Sequence, residues 1–266
     1  MGDITLALRV AQSGLLGNQE ALHTISNNVA NLNTEGYSRK IIHFEQVTVG
    51  GIGAGTRIAE IQRSVDEGLL KTLRIENGET NAFAIQEDFY ARMQDLFGSP
   101  GDNTSFAHLT EQLSEAFELL AVSPDKTLES AEVVRRANDL LANVKGMSET
   151  VQDLRLQADR DIAEVVGDMN TMTLKIDKLN DDIIANSAVG SDVTDLKDQR
   201  DLAIDKLSKM VDIRYFSRSD GDVVVFTEAG RTLVDTVPPT ITHLAASSLS
   251  ASSTHSEGDI SGLFVG

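Results

Sequence analysis

The chain has 266 residues, of which 41% are hydrophobic but only 5% aromatic, and it contains neither cysteine nor tryptophan. Its formal net charge of −18 and its isoelectric point near 4.6 argue against binding to nucleic acid or to anionic lipid. The lack of cysteine excludes disulfides and thiolate chemistry, and the scarcity of aromatic residues favours long helices that share narrow seams over one large globular core.

The N-terminus carries an apolar stripe with a heptad repeat, in which Asn18 is the one polar exception. The predicted assembly seam consists of Ile4, Leu8, Ala11, Leu15, Leu22, Ile25, Val29 and Leu32. This spacing is typical of a coiled-coil helix that lies against another helix. Glycine inside a helix costs about 1 kcal/mol relative to alanine, so with Gly14 and Gly17 we expect this helix to become ordered mainly on assembly. The periodicity alone is equally compatible with an ordinary amphipathic helix packed on its own domain.

An asparagine-rich turn follows the stripe directly. Asparagine side chains mimic backbone hydrogen-bonding groups, so Asn28, Asn31 and Asn33 are expected to close the end of the helix. Gly36 supplies a position with positive φ, and Tyr37 can bury its ring while its hydroxyl stays hydrogen-bonded. Such a turn would set the angle at which the helix leaves the body of the protein; the alternative is a polar loop with no special role.

The next stretch, from about residue 41 to 61, is predicted to be extended and is punctuated by glycines. The spacing of those glycines does not match a phosphate-binding loop, so a hairpin or flexible turn is the better interpretation. Residues from about 58 to 97 and from 105 to 121 are predicted as helices. The second of these is expected to bury Leu109, Leu113, Phe117 and Leu120 on one face.

The longest predicted element runs from about residue 127 to 186. Its apolar residues alternate steps of three and four, apart from two consecutive fours at Leu154, Ala158 and Ile162. That extra step is a stutter, which locally unwinds a supercoil. At 1.5 Å per residue the helix would span roughly 90 Å, which predicts an elongated bundle.

A further helix is predicted from Asp192 to Met210, with Asp195, Asp198 and Asp201 at every third position. These carboxylates lack the spacing of a calcium-binding loop, and basic residues lie among them. Two interpretations remain: a solvated or salt-bridged face, or a structural Asp–Arg pair that braces the bundle. From residue 211 the apolar period changes to two, and Asp-Gly at positions 220–221 predicts a hairpin.

These elements together predict a mainly α fold: an elongated antiparallel helical bundle or coiled coil, with small β-hairpins and the start of a C-terminal β domain. The expected domain organisation is an N-terminal assembly helix and Asn-rich turn over 1–36 and an elongated bundle over 37–210 with a β-hairpin near 41–61. The start of a β domain over 211–244 and a flexible or incomplete tail over 245–266 would follow.

Two motifs resemble known proteins. Residues 26–39 read Ser-Asn-Asn-Val-Ala-Asn-Leu-Asn-Thr-Glu-Gly-Tyr-Ser-Arg and resemble the N-terminal signature of the bacterial flagellar axial proteins of the rod, the hook and the hook-associated group. Residues 176–183, then 195–201 and the hairpin near 221, are similar in order to the hook-associated family of the hook–filament junction. The signature residues are Asn27, Asn28, Asn31, Thr34, Gly36, Tyr37, Asp195, Asp198, Gln199, Arg200 and Asp201.

The resemblance implies a structural subunit at the hook–filament junction, outside the cell, exported through the flagellum without a cleaved signal peptide. Its partners would be other copies of itself, neighbouring hook and junction or filament proteins, and an export chaperone; nucleic acid, membrane and small-molecule substrates are not expected. The resemblance also implies a C-terminal helix that pairs with the N-terminal one. No such helix is present up to Gly266, so we expect a partial sequence or a truncated member.

Two other classes of function stay open. One is a different coiled-coil interaction protein, such as a rod- or hook-type subunit or an adhesin stalk, although the Asn-rich turn interrupts the heptads that a stalk would continue. The other is an acidic enzyme. The five histidines of the chain are not spaced as metal ligands, and the sequence has no nucleophile-elbow motif. We therefore predict no catalytic residue, no cofactor site and no metal site.

Overall fold

The computed structural model describes residues 2–99, 103, 105–249 and 264–265. The described chain is mainly helical with small antiparallel sheets, which confirms the predicted fold class. In chain order the elements are α1 (Gly2–Ala30), β1 (Lys40–Val49), β2 (Ile52–Arg63), α2 (Glu67–Asp95), α3 (Phe106–Val122), α4 (Thr127–Ala188), α5 (Thr194–Ser208), β3 (Ile213–Ser217), β4 (Val223–Thr227), β5 (Thr232–Val234), β6 (Ile241–Thr242) and β7 (Phe264–Val265). The predicted tail lies mostly outside the described residues, which omit 250–263 and 266.

The chain divides into two compact units. The first holds Met1–Glu79 and Met169–Thr240, and the second holds Thr80–Asp168 and Ile241–Phe264. The first unit therefore contains α1, the β1–β2 hairpin, α5 and the β3–β4–β5 sheet. Its most deeply buried side chains come from the C-terminal part of α4, from α5 and from the sheet: Met169, Ile176, Ile183, Ile204, Leu207, Val225, Leu233 and Val234.

Strands β1 and β2 form an antiparallel hairpin that runs from the Lys40–Arg63 pair to the Val49–Ile52 pair. The connection is Gly50-Gly51, and both residues have positive φ, as a two-residue type I′ turn requires. The predicted start of a helix at residue 58 is wrong, because residues 58–63 belong to β2. Ile58 and Ile61 pair across the ladder with Phe44 and Ile42, and these apolar cross-strand pairs outweigh the local helical period.

The hairpin predicted near residue 221 is present between β3 and β4, with Ile213 opposite Thr227 and Ser217 opposite Val223. Gly221 has a φ of 93°, and the N–H of Asp222 donates to Asp220 Oδ1 at 3.1 Å. Strand β5 continues the sheet in antiparallel order. This turn is placed close to α5, where it contributes a carbonyl to the site described below.

The second unit is helical over most of its described length. Helix α3 begins at Ser105, whose Oγ accepts the N–H of His108 at 3.2 Å. The prediction that Phe117 is buried is wrong: its side chain is 53% exposed, and Ala116 is buried instead. Consecutive residues lie about 100° apart around a helix, so the buried face of α3 is centred about one residue away from the predicted one. On α4, Val166 is buried, whereas the neighbouring Val165 is 36% exposed.

Candidate assembly site

The predicted seam on α1 faces outward. All eight of its residues are exposed, and the seven large side chains range from 56% exposure at Ile25 to 80% at Leu32. We refer to these residues as the apolar ridge: Ile4, Leu8, Ala11, Leu15, Leu22, Ile25, Val29 and Leu32. Large exposed apolar patches on folded proteins are typical of interaction surfaces, so the ridge is a candidate assembly surface.

The opposite face of α1 packs on the β1–β2 hairpin through small and polar residues. Gly17 and Thr24 are buried there, and a Cβ added to Gly17 would lie only 2.8 Å from the Phe44 ring. Ser13 Oγ accepts the N–H of Thr56 at 3.1 Å. An ordinary amphipathic helix buries its apolar face on its own domain. Here that orientation is reversed, so packing within the chain leaves the ridge free.

The asparagine-rich turn fixes the end of α1 to β1. The Asn28 amide pairs with the backbone of Lys40 in both directions: Nδ2 donates to the carbonyl at 2.9 Å, and Oδ1 accepts the N–H at 2.9 Å. The Tyr37 hydroxyl donates to the same Oδ1 at 2.9 Å. Burial, together with the negative charge of Asp198, raises the pKa of Tyr37, which keeps this donor protonated. The Asn28 side chain thus makes the two hydrogen bonds to Lys40 that the backbone of a residue in a neighbouring strand would make.

Two further contacts shape the turn. Thr34 Oγ1 donates to Asn31 Oδ1 at 3.1 Å, and Asn31 Nδ2 donates to the Asn27 carbonyl at 3.0 Å, which closes the helix end. Gly36 has a φ of 78°, and a Cβ placed on it would lie 3.0 Å from Leu202 Cβ on α5. Glycine is therefore required at position 36 both for the backbone angle and for the approach to α5.

The aspartates of α5 meet the residues that follow the turn. The Asp198 carboxylate accepts two hydrogen bonds from Ser38, one from the backbone N–H at 3.1 Å and one from the side-chain hydroxyl at 2.5 Å. The same carboxylate lies 3.2 Å from Arg63 Nη1 and 3.7 Å from Lys40 Nζ. Its side chain is only 9% exposed, whereas Asp195, which also pairs with Lys40, is 76% exposed. Asp198 therefore joins α5 to the turn and to both strands of the hairpin.

The row of carboxylates continues along α5. Asp201 lies 2.5 Å from Arg63 Nη2 and 3.1 Å from Arg74 Nη2, and Asp205 lies 2.6 Å from Arg74 Nε. Burial lowers the pKa of Arg74. The hydrogen bond to Asp205 and the charges of Asp205, Tyr215 and Asp201 together raise it by more, so the net shift of the Arg74 pKa is upward. Of the two interpretations of the aspartates, the structure shows ion pairs that brace the helix, because β2 and α2 supply the arginines.

Arg200 lies on the other face of α5 and is buried. Its Nη1 donates to Asn180 Oδ1 at 2.9 Å and to the Gly221 carbonyl at 2.6 Å. Asn180 also bonds both backbone groups of Val223, at 2.9 and 3.2 Å. Burial lowers the pKa of Arg200, although an arginine side chain remains protonated in a protein. This network ties α4, α5 and the β3–β4 turn together, while Gln199 remains exposed.

Sequence reasoning identified the aspartates but not their partners. Lys40, Arg63, Arg74 and Asp205 received no role, although Asp205 extends the row of aspartates by one further helical step. The partners lie 127 to 155 residues away along the chain. No periodic signal connects positions so far apart, so only the fold brings them together.

The described part of the chain holds no group of three or more His, Cys, Asp or Glu residues placed to bind a metal ion. Within residues 2–99, 103, 105–249 and 264–265, no helix combines the length and apolar character that a membrane crossing requires.

Comparison with known proteins places these features in a family. The model of the flagellar hook-associated protein FlgK helical domain matches residues 90–262, and the model of the flagella basal body rod protein matches residues 8–37. The second match covers most of the apolar ridge and the whole Asn-rich turn. A solved structure, that of the flagellar hook junction protein FlgK from Burkholderia pseudomallei, matches with a TM-score of 0.60 at 20% identity over 66% of this chain and 31% of that one.

Several curated relatives carry the name flagellar hook-associated protein 1. The Bacillus subtilis (strain 168) protein is 27% identical over 236 residues, which are 84% of this chain and 46% of the relative. The Salmonella typhimurium protein is 26% identical over 231 residues, 84% of this chain and 41% of the relative. The chain thus spans less than half the length of these relatives. Because the helical-domain model covers more than half of the chain, the protein belongs to the family of the flagellar hook-associated protein FlgK helical domain.

Proposed function

We propose that this chain is a structural subunit of the bacterial flagellum that joins hook to filament and assembles through α1. The observation that carries the proposal is the orientation of α1, whose small and polar face contacts its own hairpin while the apolar ridge stays exposed. A helix in this orientation presents a surface for other helices without any rearrangement of the chain. The names of the relatives, which are hook-associated proteins, support this assignment.

The anchor below the ridge supports a mechanical role. Asn28, Ser38 and Asp198 attach the end of α1 to the hairpin and to α5 through hydrogen bonds of 2.5 to 3.1 Å. A load applied to α1 would therefore pass into the folded body instead of bending a free loop. We propose that the two signature motifs, near residues 27–37 and 195–201, serve this coupling, and that the role is structural and not catalytic.

The proposal includes partners and location. The ridge would contact other copies of this chain and neighbouring hook and junction or filament proteins, and an export chaperone would cover exposed apolar surface before assembly. The protein would lie outside the cell, at the hook–filament junction, after export without a cleaved signal peptide. The domain organisation that accompanies this proposal is an assembly helix and turn over 1–36, a bundle with a β-hairpin near 41–61 over 37–210, and the start of a β domain over 211–244.

The test replaces two ridge residues, Leu15→Asp with Leu22→Asp, in the cells that produce the protein. A charge buried in an assembled seam is strongly disfavoured, so we expect the variant to be exported but not incorporated. Filament protein should then appear unattached in the medium, and swimming should be lost. The matched control, His23→Asp with Ala30→Asp, adds two carboxylates to exposed positions of α1 off the ridge and should leave attachment intact.

Circular dichroism and a thermal melt of the purified variants separate assembly from folding. Both double variants should melt within a few degrees of the parent, because all four positions are exposed. Normal filament attachment by the Leu15→Asp, Leu22→Asp variant would contradict the proposed function.

One alternative has an observation in its favour. The rod-protein model matches residues 8–37, so α1 and its turn belong to a type of helix that is shared with rod subunits. A rod- or hook-type subunit would use the ridge in the same way but at another position along the flagellum. Fluorescent labelling of the protein on intact flagella distinguishes the two, since a junction subunit gives one spot at the outer end of each hook.

A further inference from the structure

We infer that the first half of α2, residues 67–79, is a releasable helix, which can detach from α5 while the apolar core of the first unit stays folded. Arg74 holds this segment in place, and Gly78 sets how closely it approaches α5. This property of α2 is independent of the apolar ridge on α1. It rests on what α2 buries, on the contacts of Arg74 and Gly78, and on a cavity beside them.

Helix α2 is described over its full length, Glu67–Asp95, and it buries no apolar side chain within the described chain. Its buried residues are Arg74 and Gly78. Leu69 is 67% exposed, and Leu70 is half-buried. A helix in a protein is stabilised mainly by packing of an apolar face, at about 25 cal/mol for each Å² of apolar surface buried. Detachment of the first half of α2 therefore loses little of this stabilisation.

The side chain of Arg74 makes a forked contact with α5. Its Nε donates to Asp205 Oδ1 at 2.6 Å, and its Nη2 donates to Asp201 Oδ1 at 3.1 Å and to the Asp201 carbonyl at 3.3 Å. The guanidinium also lies over the ring of Tyr215 on β3, with Cζ 4.7 Å from the ring centroid. These contacts need a planar group with several fixed donors, which lysine lacks. The substitution Arg74→Lys can therefore loosen α2 without removing the positive charge.

Gly78 lies one helical turn beyond Arg74, on the same face of α2. A Cβ added to Gly78 would lie 2.9 Å from the carbonyl oxygen of Ser208, at the end of α5, and 2.9 Å from Asp212 Oδ1. Glycine is therefore needed for this close approach. Residues 76–81 read Glu-Asn-Gly-Glu-Thr-Asn, in which glycine, asparagine and threonine are weak helix formers. Once it is off α5, the first half of α2 is expected to lose its helical hydrogen bonds.

A cavity of about 470 Å³ lies beside the Arg74 contact. Its walls include Lys71 and Glu79 of α2 and, from the side of the sheet, Arg214 and Glu228. Arg214 Nε donates to Glu228 Oε2 at 2.6 Å, so this pair is satisfied without α2. A polar space of this size can hold water. Release of α2 therefore exposes few groups that are shielded from solvent in the docked state.

The test is amide hydrogen exchange of the 266-residue chain at low denaturant, followed by mass spectrometry of peptic fragments. Local release predicts that the amides of residues 67–79 exchange roughly tenfold faster than those of the core segment 200–207 of α5. Arg74→Lys should accelerate exchange in 67–79 by roughly a further tenfold and leave 200–207 within about twofold of the parent. Lys71→Ala is the matched control, because it removes an exposed cation one turn earlier in α2, and it should change neither segment by more than about twofold.

Two further variants test the contacts separately. Asp205→Asn keeps the shape of its side chain but removes the charge that faces Arg74, so exchange in residues 67–79 should accelerate several-fold. Gly78→Ala favours the helix by propensity but has no room beside α5, so exchange in 67–79 should also accelerate. Gly146→Ala is the control, because a Cβ at that position of α4 meets no heavy atom within 4 Å, and exchange around it should slow.

Three results would overturn the inference. Equal acceleration of 67–79 and 200–207 in Arg74→Lys would show that α2 opens only together with the core. Unchanged exchange of 67–79 in Arg74→Lys would show that Arg74 does not hold the helix. Slower exchange of 67–79 in Gly78→Ala would show that helix propensity, and not contact with α5, governs the opening of this segment.

Discussion

At the scale of single residues, the Asn28 side chain makes a pair of hydrogen bonds with a strand backbone that a neighbouring strand would otherwise make. The sequence predicted that the asparagines close the end of α1, and Asn31 does so locally. Asn28 instead reaches 12 residues along the chain and bonds both backbone groups of Lys40. Residue type and turn chemistry suffice to predict a capping role. They do not predict that the partner is the first residue of β1, because that depends on how the hairpin returns to the helix.

Asn28→Ala should lower the free energy of unfolding by about 2 kcal/mol, because it leaves a part-buried N–H and carbonyl of Lys40 and the Tyr37 hydroxyl without this partner. Urea denaturation followed by circular dichroism measures the change. Asn33→Ala is the matched control, since Asn33 is exposed in the same turn, and it should change the stability by less than about 0.5 kcal/mol. Equal effects of the two substitutions would show that the Asn28 contacts are unimportant.

At the scale of secondary-structure elements, α5 organises the first unit. One face of α5 carries Asp198, Asp201 and Asp205, which pair with basic residues of β1, β2 and α2, and another face carries the buried Arg200. Helix α5 is thus attached to β1, β2, α2, α4 and the β3–β4 turn. Such a helix is the point at which the two signature motifs meet in space.

Asp198 and Asp195 form a matched pair for testing this role, because both contact Lys40 but only Asp198 is buried. Asp198→Ala leaves the Ser38 N–H and hydroxyl without their acceptor and removes one of the two aspartates that pair with the buried Arg63, so it should cost about 3 kcal/mol, as for other broken buried ion pairs. Asp195→Ala removes an exposed carboxylate, and Lys40 keeps Asp198 at 3.7 Å, so it should cost no more than about 1 kcal/mol. Thermal and urea unfolding provide the measurement. A larger loss for Asp195→Ala would contradict the assignment of Asp198 as the anchor.

The elements themselves differ in how far sequence could predict them. The existence of α1, α3, α4 and α5 follows from local periodicity, because apolar residues three and four positions apart report on a helix without any knowledge of its neighbours. The buried face does not follow, as the exposure of Phe117 shows. Which face of a helix is buried depends on the neighbouring elements, and a shift of the buried face by one residue exchanges Phe117 for Ala116. The extended stretch predicted to about residue 61 agrees with β2, whereas the helix predicted from about residue 58 begins too early, because local periodicity does not report the pairing of β2 with β1.

At the scale of the whole molecule, the distribution of charge distinguishes the N-terminal region from the rest of the chain. Residues 1–40 contain three acidic residues (Asp3, Glu20 and Glu35) and three basic residues (Arg9, Arg39 and Lys40), so the entire net charge of −18 lies downstream. A neutral N-terminal region can pack against copies of itself without repulsion. The acidic remainder keeps the free protein apart from its neighbours and from polyanions.

This imbalance predicts that the protein becomes more stable with added salt. Raising NaCl from about 10 to about 150 mM shortens the Debye length from roughly 30 to 8 Å and screens repulsion among the excess carboxylates, while the buried pairs at Asp198 are screened less. We expect the melting temperature to rise by a few degrees in differential scanning calorimetry. Sucrose at equal osmolarity is the control. A continuous fall in melting temperature would show that exposed ion pairs outweigh the general repulsion.

The reversed orientation of α1 has a consequence for the rate of growth. A subunit whose adhesive surface already points to solvent needs no activation step, so its addition to a growing end is limited by collision and alignment. The same exposure leaves the ridge open to other apolar surfaces at high protein concentration.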